Sequence, residues 1–181
     1  MLRLAARSLS PTEVQSDLIQ GLILGMCETM RATPGVGLAA PQIGESIQLV
    51  VIEDREEYHK DLLPEFLVEA GRVPVPFHVL INPRLVSASE EKAEFFEGCL
   101  SLSGFRAVVP RSLSVRVEAL DEKGDPVSIA ARGWYARILQ HEIDHLQGTL
   151  YIDRMRSRTL TNADNFNRYW KAVPMSELTK G

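Results

Sequence analysis

Six residues constrain this chain more than any others: Gln140-His141-Glu142-Ile143-Asp144-His145, followed by Leu146-Gln147-Gly148. In a helix, side chains four positions apart overlie one another, so His141 and His145 share a face and can reach one metal ion. Glu142 beside them is suited to act as a base on water at that metal. The spacing predicts a helix from residue 134 to about 147, opened by Gly133 and closed by Gly148 in a left-handed cap. On it Trp134, Ile138, His141 and His145 form one stripe, while Leu139, Ile143 and Leu146 support the adjoining face. The histidine pair therefore lies in apolar surroundings, as a buried site requires. Two imidazoles do not complete such a site, and a further ligand has to come from elsewhere.

Read in order, the chain begins with Ser10-Pro11-Thr12-Glu13, a capping box with proline at the first helical position. Val14, Leu18, Leu22, Met26 and Met30 then repeat every fourth residue, with Ile19, Ile23 and Cys27 alongside, predicting one amphipathic helix ended by Thr33-Pro34-Gly35. Cys27 lies in that stripe as a small buried hydrophobe. Residues 47–52 and 79–81 read as buried strands, the second stopped by Asn82-Pro83. Between them, residues 53–77 are charged and proline-punctuated, a surface insertion near the mouth of the site with a helical turn around Asp61 to Ala70. His59 and His78, at that insertion, read as solvent-facing or structural. Residues 106–110, 113–120 and 127–131 are further strands, the last two joined by the turn Asp121-Glu122-Lys123-Gly124-Asp125. Helix, strands, hairpin and helix in that order make an α+β domain, a single unit over residues 1–181 with a C-terminal extension from 156.

Composition removes whole classes of function. A net charge of −4 argues against nucleic-acid binding. Two cysteines in different surroundings suit a reducing compartment. No apolar run is long enough to span a bilayer. The first ten residues hold two arginines and no acid, only a faint echo of organellar targeting, so the cytoplasm is the expected location.

Two other stretches supply what the histidines lack. Cys99, in Glu97-Gly98-Cys99-Leu100-Ser101, gives a thiolate, and with His141 and His145 it makes three ligands and an open fourth position. Gln42 is the one polar side chain in Gly35-Val36-Gly37-Leu38-Ala39-Ala40-Pro41-Gln42-Ile43-Gly44, whose small residues allow close backbone approach. Arg111 is expected to pair with Glu97 behind the ligand loop. Asp144 is read as a supporting or helix-surface hydrogen-bonding residue.

At this point the chain resembles the peptide deformylases, whose motifs G-x-G-L-A-A-P-Q, E-G-C-L-S and Q-H-E-x-D-H-L-x-G stand unbroken at residues 35–42, 97–101 and 140–148. The resemblance covers roughly residues 12–155. It implies antiparallel or mixed sheets packed around a central metal-binding HExxH helix. It also implies a metal-dependent hydrolase that removes the N-formyl group from the formyl-methionine of new polypeptides and releases formate. Cys99, His141 and His145 would hold the metal, Glu142 would be the general base and acid for the attacking water, and Gln42 with the Leu100 N–H would stabilise the oxyanion. Fe(2+) is the metal implied, with Zn(2+), Ni(2+) or Co(2+) as substitutes; donor chemistry alone points to zinc. By resemblance Val36, Phe95, Trp134, Arg137 and Ile138 surround the methionine side chain, and Gly37 and Gly98 offer backbone contacts. Trp134 and Arg137 are bulkier or more polar than the aliphatic residues of one branch of the family. The partners implied are formylmethionyl nascent peptides, with transient ribosome association and no membrane. The rival readings are an HExxH metallopeptidase and a non-catalytic metal-binding adaptor. A protease would usually take its third ligand from a downstream Glu or His, and no histidine follows His145; an adaptor would need neither Gln42 nor Glu142.

Overall fold

The computed structural model describes residues 1–33, 35–171, 173 and 175. In chain order its elements are α1 (Pro11–Val14), α2 (Asp17–Ala32), β1 (Gly37–Ala39), β2 (Leu49–Asp54), α3 (Pro64–Ala70), β3 (Val75–Ala88), β4 (Lys92–Glu97), β5 (Phe105–Ser112), β6 (Ser114–Leu120), β7 (Pro126–Arg132), α4 (Gly133–Leu146) and β8 (Thr161–Asn162). The strands pair antiparallel, in the order β1-β2-β3-β6-β7 in one sheet and β4-β5-β8 in a second. The α+β architecture is the one expected.

β2 explains how the larger sheet is held. It is buried along its whole length, because both faces are covered. Val50 and Ile52 point to one side, with Leu80, Val117, Leu139, Ile143 and Leu146 in the core under α4. Leu49 and Val51 point to the other, with Ile19, Ile23, Met26 and Met30 of α2. Alternation along one strand therefore feeds two cores. Each such aliphatic side chain stabilises the fold by about 1.5–3 kcal/mol relative to exposure.

Three expectations need correction. The first helix is two: α1 stops at Val14, and Ser16 caps a fresh start by accepting the Ile19 N–H. Leu18 consequently lies 80% exposed, and the buried stripe is Ile19, Ile23, Met26 and Met30. A strict four-residue repeat drifts about 40° around a helix at each step, so the expected stripe could not stay on one face. Second, Asn82-Pro83 does not stop β3, which runs on to Ala88. Instead the register shifts between Ile81 and Arg84, Asn82 takes φ 51°, and its amide pairs with the Leu9 backbone in both directions, 2.9 and 2.8 Å. A bulge accommodates the proline that a regular ladder would reject. Third, the strand expected at 47–52 is β2, which continues to Asp54. The segment 53–77 thus starts and ends inside strands of the sheet and carries α3 between them. Within the C-terminal extension, β8 adds to β5, while residues 172, 174 and 176–181 lie outside the described residues, as does Pro34 at the expected end of the first helix.

α4 packs on the larger sheet through its apolar face and on β5 with the other, so the two sheets meet across it. Gln140 fastens the second contact, donating to the Ser112 carbonyl at 2.9 Å and accepting the Ser112 N–H at 3.0 Å.

Candidate active site

Two stretches of the chain deliver the expected ligands. α4 carries His141 and His145, their ring centroids 4.9 Å apart and edge to face. Cys99 follows the end of β4, with its Sγ 3.3 Å from His145 Nε2. One ligand atom from each of Cys99, His141 and His145 lies within 4.8 Å of the others. A tetrahedral ion of zinc size would hold sulfur and nitrogen about 3.5 Å apart, so a small divalent metal fits this donor set. The His141 Nδ1 faces the Glu97 carboxylate at 3.0 Å, which leaves Nε2 for the cluster. Metal-binding imidazoles are commonly oriented this way.

Behind the ligands lies a buried ionic layer. Arg111 donates from Nε and Nη2 to Glu97, 2.9 Å each, which is the pairing expected from sequence. Its Nη1 reaches Asp144 at 2.5 Å, and Arg154 clamps the same carboxylate at 2.6 and 2.7 Å. Arg137 adds a third cation, 2.6 Å from Glu97, and donates to the carbonyls of Val109 and Ala93. Burial disfavours a charged Glu97, but the hydrogen bonds from His141 and Arg111 outweigh it and hold the carboxyl well below its usual range. Asp144 is thus a buried supporting residue rather than a helix-surface one.

Glu142 has a different environment. It is 4% exposed, and its Oε2 has no hydrogen-bond partner among the described residues. Burial pushes its pKa up to about 7, with His141 pulling the other way. Its carboxylate lies against Gly37: a Cβ there would stand 2.4 Å from Oε1, so only glycine allows β1 to pass so close. The two imidazoles also diverge. Burial and the neighbouring His141 push His145 down to about 3, favouring the neutral ring a ligand needs. Burial opposes protonation of His141 too, but Cys99 and Glu97 as hydrogen-bond partners raise it to about 10.

Gln42 is oriented by its backbone. Its Oε1 accepts the Ala39 N–H at 2.8 Å, so the Nε2 must face away, toward Ser101 Oγ at 3.2 Å and Cys99 Sγ at 3.6 Å. Leu100, 43% exposed, begins the turn after Cys99, and its side chain leans on Gly35, bringing the two motif loops together. Of the remaining expected residues, Phe95 packs edge-on to Trp134 at 5.9 Å, and the Arg137 guanidinium lies over both rings at 5.2 and 5.7 Å. Ile138 belongs to the core under α4, Val36 packs at its margin, and Gly98 lies beside Arg106. Cys27 is buried in α2, away from the cluster. His59 is buried beside Asp54, and His78 bridges Pro76 and Tyr135, both in structural roles.

Sequence reasoning missed four supporting residues. Gln140 and Ser101 stood inside the motifs without an assigned task. Arg154 and Tyr151, whose ring stacks on His141 at 6.3 Å and whose hydroxyl donates to the Phe105 carbonyl, lie beyond the last motif. Their signal was proximity to the HExxH helix in a region that otherwise reads as polar.

A family model described as "Polypeptide deformylase" matches residues 1–160. The chain is 46% identical over 172 residues to peptide deformylase 1A, chloroplastic/mitochondrial, of Arabidopsis thaliana, covering 95% of this chain and 62% of the relative. It is likewise 46% identical over 158 residues to peptide deformylase 1 of Streptomyces coelicolor, covering 87% and 71%. Against tomato peptide deformylase 1A it spans 56% of the relative's length, so it covers about six-tenths of these plant proteins. The Met-Ala-Ser-bound crystal structure of a class I type b peptide deformylase from Acinetobacter baumannii superposes with a TM-score of 0.76 at 33% identity, over 85% of this chain and 91% of that one.

Proposed function

The chain belongs to the peptide deformylase family, and from that premise we propose that it hydrolyses the N-formyl group of formyl-methionyl nascent peptides, releasing formate. The observation that carries the reading is the convergence of three motifs on one point. The ligand atoms of Cys99, His141 and His145 lie within 4.8 Å, with the Gln42 amide 3.6 Å from the thiol and the Glu142 carboxylate buried on the same helix.

Cys99, His141 and His145 would hold a divalent ion, which would supply Lewis acidity and make water a nucleophile near neutral pH. Glu142 takes the proton of the attacking water and returns it to the leaving amine; its unpaired Oε2 is free to do both. Gln42 Nε2 and the Leu100 N–H donate to the oxygen on which charge accumulates. Gly37 and Gly98 offer backbone to the peptide, and Val36, Phe95, Trp134, Arg137 and Ile138 surround the methionine side chain. Iron(II) is the metal we assign, with zinc, nickel or cobalt as substitutes, and the thiolate makes the site sensitive to oxidation. We place the protein in the cytoplasm, in transient contact with the ribosome. Its relatives include bacterial, chloroplastic and mitochondrial proteins, and among the described residues no helix is long and apolar enough to cross a membrane.

The test is formate release from formyl-Met-Ala-Ser by protein purified without oxygen, with the bound metal measured in the same sample. Internal cleavage of an unformylated peptide, without formate, would overturn the proposal.

A further inference from the structure

α4 and β4 run beside each other and present matched pairs of residues. On α4, Trp134 and His141 are seven positions apart, hence on one face and about 10 Å apart along the axis. On β4, Phe95 and Glu97 are two apart and share a face. Glu97 meets His141 at one end, and Phe95 meets Trp134 at the other. The two elements therefore carry the candidate metal ligands at one end and an aromatic cluster at the far end, aligned along the direction a linear side chain would take from the metal.

The far end is closed by the segment between β2 and β3. Phe66 of α3 lies edge-on to both Trp134 and Phe95, at 5.5 and 5.8 Å. Arg72, just after α3, places its guanidinium 5.1 Å from the Trp134 ring centroid. That guanidinium is itself fixed, since its Nε and Nη2 donate to the wholly buried carboxylate of Asp54 at 2.8 and 2.9 Å. Gly133, at the start of α4, sits so tightly under this segment that a Cβ would stand 2.7 Å from the Ala70 carbonyl oxygen. Trp134 Nε1 is buried with no hydrogen-bond partner among the described residues, so the ring is oriented by what lies on its faces and edges.

We propose that Arg72, held by Asp54, is a positioning residue that fixes Trp134 as the blind end of the methionine pocket, making the 53–77 segment part of the apparatus that reads the substrate side chain. This rests on the deformylase reading above. A guanidinium can grip Asp54 with two N–H groups while facing the indole, which a point-like ammonium cannot do at once, so Arg72→Lys keeps a charge near Asp54 but loses the fixed platform. The double variant Asp54→Asn/Arg72→Met removes platform and buried charge together, so a folding failure caused by an unpaired Asp54 is avoided.

Both variants are made in a Trp170→Phe background, where Trp134 is the sole tryptophan, and assayed on formyl-Met-Ala-Ser, formyl-norleucyl-Ala-Ser and formyl-Leu-Ala-Ser. The expected result is a kcat on formyl-Met-Ala-Ser within about threefold of the parent, a raised KM, and a preference for methionine over leucine reduced by about 2- to 30-fold, the range for one lost cation–π contact. Trp134 emission should shift to the red as its face opens to water. An unchanged side-chain preference with unchanged emission overturns the inference, as does an equal loss on all three substrates with KM unaltered, the signature of a smaller folded fraction. A parent protein that releases no formate from any of the three overturns the activity itself, and the pocket assignment with it.

Discussion

The two sides of α4 are held by opposite kinds of force. Toward the larger sheet it buries Leu139, Ile143 and Leu146 against Val50, Ile52 and Val117. Toward the smaller sheet it presents Arg137, His141 and, through Arg111, Asp144 to a single buried carboxylate, Glu97. Hydrocarbon contacts are non-directional, so the first side fixes that α4 is packed without fixing its position finely. The ionic side is directional: Arg137 and His141 of α4 both meet Glu97 of β4, so a shift of β4 against α4 would lengthen both contacts. Arg111 of β5 ties Asp144 of α4 to the same carboxylate. The chain spends its costly buried charges where Cys99 must be aligned with His141 and His145, and its cheap contacts where only stability is needed.

Glu142 belongs to neither arrangement, and removing it should give the largest effect. Glu142→Ala is expected to lower kcat for formate release by about 10²–10⁴. Its buried Oε2, without a hydrogen-bond partner among the described residues, gives the fold little, so thermal stability should hold or rise, and metal content should be unchanged. Turnover within a factor of two of the parent would remove Glu142 from the proton transfers. Next in size, Glu97→Gln strips the compensating charge from Arg111 and Arg137. Breaking a buried pair in this way costs about 3–5 kcal/mol. Because Glu97 also orients His141, metal affinity should fall about 10–100-fold. Denaturant melts and metal titration measure both, and loss of stability with unaltered metal affinity would show that the ionic layer does not align the ligands.

Leu139→Ala probes the other side of the helix. Leu139 is fully buried in the core under α4, so truncation should cost about 2–5 kcal/mol. Metal affinity and the KM of the remaining folded protein should be unmoved, since no donor to the site changes. A comparable loss of stability in Glu97→Gln and Leu139→Ala, with metal affinity lost only in the first, is the pattern that separates holding from aligning. Equal loss of metal affinity in both would collapse the distinction.

This division also decides what could be read in advance. The candidate ligands were legible because i, i+4 histidines and a motif cysteine are local patterns, and the strands of the central hairpin because alternation is local too. Arg111 with Glu97 was legible as a pairing of opposite charges near the ligand loop. The full layer was not: Arg154, Tyr151 and the carbonyls that take Arg137 come together only through β4, β5 and the turn after α4. The break at Gln15-Ser16 and the bulge at Asn82 were hidden for another reason. Both replace a regular ladder with side-chain hydrogen bonds, and apolar periodicity carries no trace of those. Segment 53–77 read as a surface because its charges are many, yet Asp54, Arg72 and His59 are paired within it and largely out of solvent.

The smallest effect is expected from the same chemistry placed in water. Arg84 and Glu118 stand directly opposite on β3 and β6, joined by a 2.6 Å contact that is about as short as the bond from Arg137 to Glu97. Their side chains are 68% and 50% exposed, so neither charge was desolvated to form the pair, and counterions screen it. Arg84→Ala should therefore change stability by less than about 1 kcal/mol, and the difference should vanish in high salt. Metal affinity and turnover should be unaffected. The measurement is a pair of denaturant melts at low and high ionic strength beside those of Glu97→Gln. If the exposed pair proved worth as much as the buried one, contact distance rather than burial would be the controlling variable, and the special role given to the layer behind the ligands would have no physical basis.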